Sequence, residues 1–203
     1  MTAIPLPPSA VDWRRVEHWT AEIAGGSLRA LRKTFGQGRG GPSILWRPPL
    51  SRLAAPQLHF LMGYWNGLAG ARTMPEAREI DALEMRPALG YVSLLEVIED
   101  GHDFRYRVFG SAIAAVVGFD MTGRPASALK ARAEVAEFAL AIYRAVLARG
   151  EPLLAEHGPP STISSVAWHS LVLPLADPGG AVVRLLAGAV PVARDGRALL
   201  PRL

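Results

Sequence analysis

Hydrophobic positions along this chain follow two periods, and the change falls near Tyr91. Upstream, apolar residues recur every three or four positions. Trp13, Val16, Trp19 and Ile23 form one such stripe, with Arg14, Arg15 and His18 on other faces, which predicts a short helix. Gly25-Gly26 ends it. Ser27 is placed to cap a second helix that sorts Leu28, Leu31 and Phe35 to one side and Arg29, Arg32 and Lys33 to the other. The run GQGRGGPS reads as a turn-rich connector, and Pro48, Pro49 and Pro56 keep WRPPLSRLAAP out of a regular helix. A third helix is expected from Pro56, an allowed first-turn position, with Leu58, Leu61, Trp65 and Leu68 as its stripe and Gly70 as its stop. ARTMPEAREIDALEMRPALG then predicts a turn, a short helix and a proline exit.

From Tyr91 the alternation is that of strands. YVSLLEVI (91–98) and DFRYRVFG (103–110) predict a hairpin closed by Glu99-Asp100-Gly101-His102. Residues 111–131 read as short helices and loops. Residues 132–149 predict one long helix with Val135, Phe138, Ile142 and Val146 on a face and further apolar groups beside them, so it should be largely buried. Three more strands are expected at 152–157, 164–175 and 181–192. The first reads as an edge strand because it is short and follows Pro152; the last two are joined by Asp177-Pro178-Gly179-Gly180. This order predicts an α+β domain: a five-stranded antiparallel sheet with helices on one face, over residues 56–203, preceded by a helical extension and linker over 1–55.

Composition narrows the chemistry. Cysteine is absent, which excludes disulfides, thiolate metal sites and cysteine nucleophiles. The start MTAIPLPPSAVDWRR lacks a signal-peptide pattern, and no run approaches the roughly 18 apolar residues of a spanning helix, so the expected setting is cytoplasmic and soluble. The basic character is concentrated in the extension, where Arg14, Arg15, Arg29, Arg32, Lys33, Arg39, Arg47 and Arg52 outnumber Asp12, Glu17 and Glu22. Such a segment suits a solvated helical face; nucleic acid is disfavoured because no reading helix accompanies it. The histidines at 18, 59, 102, 157 and 169 show no paired ligand spacing, so no metal is expected. No nucleophile elbow, phosphate loop or zinc-protease motif occurs, GQGRGG follows no strand, and Glu96 and Glu99 do not share a face, so the chain does not read as an enzyme.

Strand alternation places Phe104, Tyr106 and Val108 on one face of their strand, with Arg105, Arg107 and Phe109 on the other. His169, Leu171, Leu173 and Leu175 share a face, opposite Trp168, Ser170 and Val172; Leu185 alternates with Arg184 and Leu186. The set facing the long helix is expected to include Tyr106, His169 and Leu171. A pocket built from Phe104, Tyr106, Ile113, Val117, Phe138, Ile142, His169, Leu171 and Leu185 would suit a small amphipathic ligand. Asp120, Thr122 and Arg124 form a polar loop that reads either as an exposed anion site or as a turn bonded to its own backbone, with Gly123 supplying a positive φ. Arg78 and Asp81 read as a local pair. Trp13, Val16, Trp19 and Ile23, with Trp46, are candidates for a protein interface; the alternative is that they pack back on the sheet.

An ordered set of residues carries a family resemblance: Tyr64-Trp65, Met74-Pro75, Arg78, Ile80-Asp81, Phe104-Arg105-Tyr106-Arg107, Gly110, Thr122-Gly123-Arg124 and Leu173-Pro174-Leu175. Over about residues 57–192 this resembles a PAS domain, closest to a bacterial family of small stand-alone PAS proteins with an opening helical segment and no attached effector. Ala82 departs from the proline that usually follows the aspartate, and residues 1–50 find no counterpart. The resemblance implies a sensory or signalling module that binds a small ligand or dimerises and acts on a separate partner; a ligand-free adaptor using the sheet and the N-terminal helices is the alternative. It implies a homodimer. Covalent cysteine-linked chromophores are excluded, haem is disfavoured because the long helix has no histidine, and noncovalent flavin stays open.

Overall fold

A computed structural model describes residues 11–36, 41–158 and 166–193. The proline-rich start, most of the glycine connector with Arg39, residues 164–165 of the fourth predicted strand, and residues 194–203 lie outside these. The described chain forms five α-helices: α1 (Trp13–Ala24), α2 (Arg29–Phe35), α3 (Pro56–Ala69), α4 (Ser111–Val117) and α5 (Ala133–Arg149). Its strands are β1 (Ser43–Trp46), β2 (Val92–Ile98), β3 (Asp103–Val108), β4 (Leu153–His157), β5 (Val166–Ala176) and β6 (Val182–Ala193). They make one antiparallel sheet in the order β1-β4-β5-β6-β2-β3, with the short α4 and then α5 between β3 and β4 in sequence.

The expected α+β antiparallel sheet is therefore present, with one strand more than the alternation predicts. Ser43–Trp46 is too short to show a period, yet it pairs with β4 from Ser43↔Glu156 to Trp46↔Leu153. That makes β4 an interior strand rather than the expected edge. Pro152 is tolerated because it precedes the strand and only its carbonyl is needed, accepting the Arg47 amide at 2.8 Å. Pro174 sits inside β5, but there β4 has already ended at the Leu153↔Val172 pair. Its carbonyl accepts the Trp65 indole N–H at 2.8 Å instead.

The sheet is covered on both faces, not on the one face expected from the element order, because α3 packs opposite α5, and each face has its own core. On one face Leu95, Phe104, Tyr106, Leu153, Val172 and Leu185 pack under α5. On the other Leu154, Leu171, Leu173, Leu175 and Leu186 meet α3, which contributes Leu58, Leu61, Met62 and Trp65. Gly188 lets α3 come close, since a Cβ there would lie 2.7 Å from the Leu58 side chain and 2.8 Å from that of Leu61. This second core explains why β5 is apolar on both sides.

The N-terminal segment folds into the first core. Val16, Trp19 and Ile23 are buried and pack with Phe138, Leu140 and Ala141 of α5. α1 runs in the same direction as α5: Asp12 at its start meets Glu137, and Ala24 at its end meets Arg149. The carbonyls left over at its C-terminus are satisfied by neighbours, with Trp46 Nε1 donating to Ile23 at 3.2 Å and Arg149 to Ala24 at 2.8 Å. The Arg149 guanidinium also stacks 4.3 Å over Trp46. Ser27 does not cap α2; the Glu22 carboxylate accepts the Ala30 amide at 3.0 Å in its place, reaching it across the Gly25-Gly26 turn.

Candidate functional site

Between α5 and the first face of the sheet lies a cavity of about 160 Å³. Its existence follows from strand register. Val172 of β5 pairs with Ala187 of β6, which pairs with Ser93 of β2. One step along, Ala155 pairs with Ser170 and Ser170 with Ala189. These small residues occupy neighbouring positions on the central strands, facing a helix whose Phe138, Ile142 and Tyr143 cannot fill the space they leave. α4 and the loops beside it close one side with Ile113, Val117, Phe109 and Phe119, and residues 129–135 close another with Leu129 and Val135.

The polar groups at this cavity are few and uncharged. Tyr106 and Tyr143 place their hydroxyls 3.1 Å apart, both buried. Desolvation raises the pKa of each above the ordinary phenol value, that of Tyr106 by far the more, so both are neutral phenols. The His157 and Phe138 rings meet at right angles, centroids 5.2 Å apart. Desolvation holds its pKa down at about 4, with the Gly158 carbonyl pulling upward and His169 pushing further down, so the imidazole is neutral at pH 7. Ser93 and Ser170 add hydroxyls. No Arg, Lys, Asp or Glu is among the described lining residues.

Of the sequence-predicted pocket residues, Tyr106, Ile113, Val117, Phe138 and Ile142 line this cavity. Phe104 and Leu185 lie in the same core without reaching it. His169 and Leu171 do not belong to it: Leu171 packs in the opposite core, and His169 points toward Glu156, 3.9 Å away. The leucine-rich side of β5 was expected to face α5, but α3 takes it, leaving the Trp168-Ser170-Val172 side for the cavity. Phe109 also departs from expectation. β3 ends at Val108, which is exposed, and the chain turns Phe109 inward to meet Tyr106 edge-on at 5.2 Å. His157 and Tyr143 were missed. Their signal was present: Leu153, Ala155 and His157 alternate along β4, and Tyr143 follows Ile142 on a helix apolar on most sides.

The polar loop bonds to its own backbone and to β3. The Asp120 carboxylate accepts the Thr122 amide at 2.8 Å, which also lowers the Asp120 pKa. Gly123 takes φ 80° and donates to the Tyr106 carbonyl at 2.7 Å, while the Tyr106 amide donates to the Arg124 carbonyl at 3.0 Å. The loop thus extends the sheet beyond β3, and the Arg124 side chain points to solvent. Arg78 pairs with Glu76 at 2.8 Å rather than with Asp81, whose carboxylate accepts the Leu83 amide. Trp19, Val16 and Ile23 are buried inside the chain, and the half-buried Trp13 packs at a tilt on His102 with centroids 4.1 Å apart, so most of this stripe packs back on the domain.

Among the described residues, no three His, Asp or Glu side chains converge as metal ligands, and no helix is long and apolar enough to cross a membrane. A family model described as a PAS domain matches residues 53–190, well over half of the chain. The chain is also similar to a solved structure of an RNA-binding light-oxygen-voltage receptor, at 14% identity and a TM-score of 0.43; the match covers 91% of this chain and 55% of the receptor, so this chain spans about half its length. Comparison with curated proteins gives no match.

Proposed function

The chain belongs to the PAS domain family, and from that premise we propose that it is a cytoplasmic sensory module: a small ligand enters the cavity between α5 and the sheet, and the response passes to a separate protein through α1. The supporting observation is the placement of α5. One face of this helix supplies Phe138, Ile142 and Tyr143 to the cavity, and another supplies Glu137 to the start of α1. A ligand that displaces the cavity side of α5 therefore changes the contact that holds α1. A packed core responds to such a push by shifting whole elements rather than by deforming smoothly.

A ligand couples to α1 only through a difference in affinity between two arrangements of the helices. The test is a native mass spectrum of the purified, untagged full chain, followed by hydrogen exchange of α1 and α5 with and without whatever is bound. A bound species at fixed stoichiometry, with altered exchange in α1, supports the sensor. A chain that is always empty, whose α1 exchange never changes, overturns it.

A further inference from the structure

Resting on the sensory reading above, we infer that the cavity selects a neutral, ring-sized ligand carrying one hydrogen-bonding oxygen, of the phenol class, and rejects carboxylates of the same size. Size sets the first limit. The cavity of about 160 Å³ matches the engineered apolar cavity of about 150 Å³ known to take benzene, and falls below the roughly 300 Å³ at which drug-sized sites begin. One six-membered ring fits; a fused three-ring system does not, without movement of α5. The walls set the second limit: the rings of Phe109, Phe119, Phe138 and Trp168 present faces and edges suited to an aromatic guest.

The tyrosine pair sets the third. Two hydroxyls 3.1 Å apart share one hydrogen bond, in which one donates and the other accepts. The accepting tyrosine still has its own O–H, and among the described residues neither hydroxyl has another partner. A buried donor without an acceptor is costly, so a ligand oxygen at this point gains the bond that the protein lacks. The charge state sets the fourth. The described lining residues hold no cation, and neutral His157 supplies none at pH 7. A carboxylate would be desolvated with no counter-charge, whereas a phenol enters uncharged.

The experiment is calorimetric titration of the full chain at pH 7 with phenol, toluene and benzoate, repeated on Tyr143→Phe and Tyr106→Phe, beside a native mass spectrum of the protein as purified. Phenol should bind, and benzoate at least about tenfold more weakly. Each Tyr→Phe change should weaken phenol by about fivefold to tenfold, the worth of one neutral hydrogen bond, and leave toluene unchanged. A structural effect of the substitution would move both probes equally and would overturn the role given to the hydroxyls. Benzoate binding as tightly as phenol, or a co-purified species that is charged or much larger, overturns the ligand class and leaves the sensor standing. Ala139 of α5 also lines the cavity, so Ala139→Leu would fill it; no binding by any probe, with an empty native spectrum and α1 exchange indifferent to that change, overturns both.

Discussion

Arg15 of α1 holds the buried carboxylate of Glu137 on α5 at 2.9 Å, and the other carboxylate oxygen accepts the Asp12 amide, also at 2.9 Å. One acidic group thus fixes both the position of α1 and its starting residue. Asp12 in turn caps the helix through the Arg14 and Arg15 amides at 3.1 and 3.3 Å.

Removing the cation leaves Glu137 enclosed with a single donor. Arg15→Ala is expected to lower stability by about 2 kcal/mol, since Arg15 is partly exposed and its pairing is screened on that side. Hydrogen exchange should accelerate first at the N-terminal half of α1, while strand amides keep their protection. Equal acceleration throughout the sheet would refute the local character of this contact.

Gly110 allows β3 to hand over to α4 against the start of β2. A Cβ at this position would fall within 2.9 Å of the Gly90 carbonyl carbon and 3.0 Å of the Val92 amide, both backbone atoms that cannot rotate away. Gly110→Ala should destabilise by about 1–3 kcal/mol through forced displacement of the hairpin. Chemical denaturation measures it, and a loss below about 0.5 kcal/mol would contradict the packing described.

Asp103 is a buried carboxylate that accepts the Phe104 amide at 2.7 Å, the Ser127 amide at 3.2 Å and the Ser127 hydroxyl at 2.6 Å. It ties the start of β3 to the turn at Ala126–Ala128 that leads toward α5. Asp103→Ala strands these donors and should cost roughly 2–4 kcal/mol, with Asp103→Asn costing less because it keeps an acceptor. Thermal melts of the two variants side by side test the order.

His157 makes stability depend on pH. Its folded pKa of about 4 lies below the ordinary 6.5. The unfolded chain takes up a proton as pH falls through 6.5, and the folded protein does so only near 4. The contribution is therefore complete above pH 6.5 and is lost progressively down to about pH 4, by at most roughly 3 kcal/mol. Glu79, Glu96 and Glu151 have pKa values lowered from the ordinary 4.5 through arginine partners, so their own contributions are lost only as pH falls below 4.5 and on through the lowered values. His157→Gln isolates the imidazole: its stability curve should be flatter than wild type between pH 6.5 and 4. Parallel curves would show that His157 is not held neutral by the fold.

Periodicity and turn residues alone determined most of the element types here, although the short helix expected between Gly70 and Tyr91 is reduced to single turns such as Ala77–Glu79. Apolar spacing of three and four marked α1, α3 and α5, alternation marked β2, β3, β5 and β6, and Gly70, Gly118 and Gly150 lie where helices stop. These are local properties of a short window, set by backbone geometry and the need to hide one face. The pairing of β1, the face of β5 that meets α5, and the membership of the cavity were decided only in three dimensions. Ser43–Trp46 becomes a strand because β4 offers it an edge, not because its four residues favour one. His169 and His157 read alike as single histidines on strands; α3 covering the leucine face of β5 puts His169 on the side away from the cavity and leaves His157 among the cavity's lining residues. The cavity itself is an absence of volume where Ser93, Ser170, Ala187 and Ala189 come into register, and residues from separate strands acquire that relation only when the sheet closes.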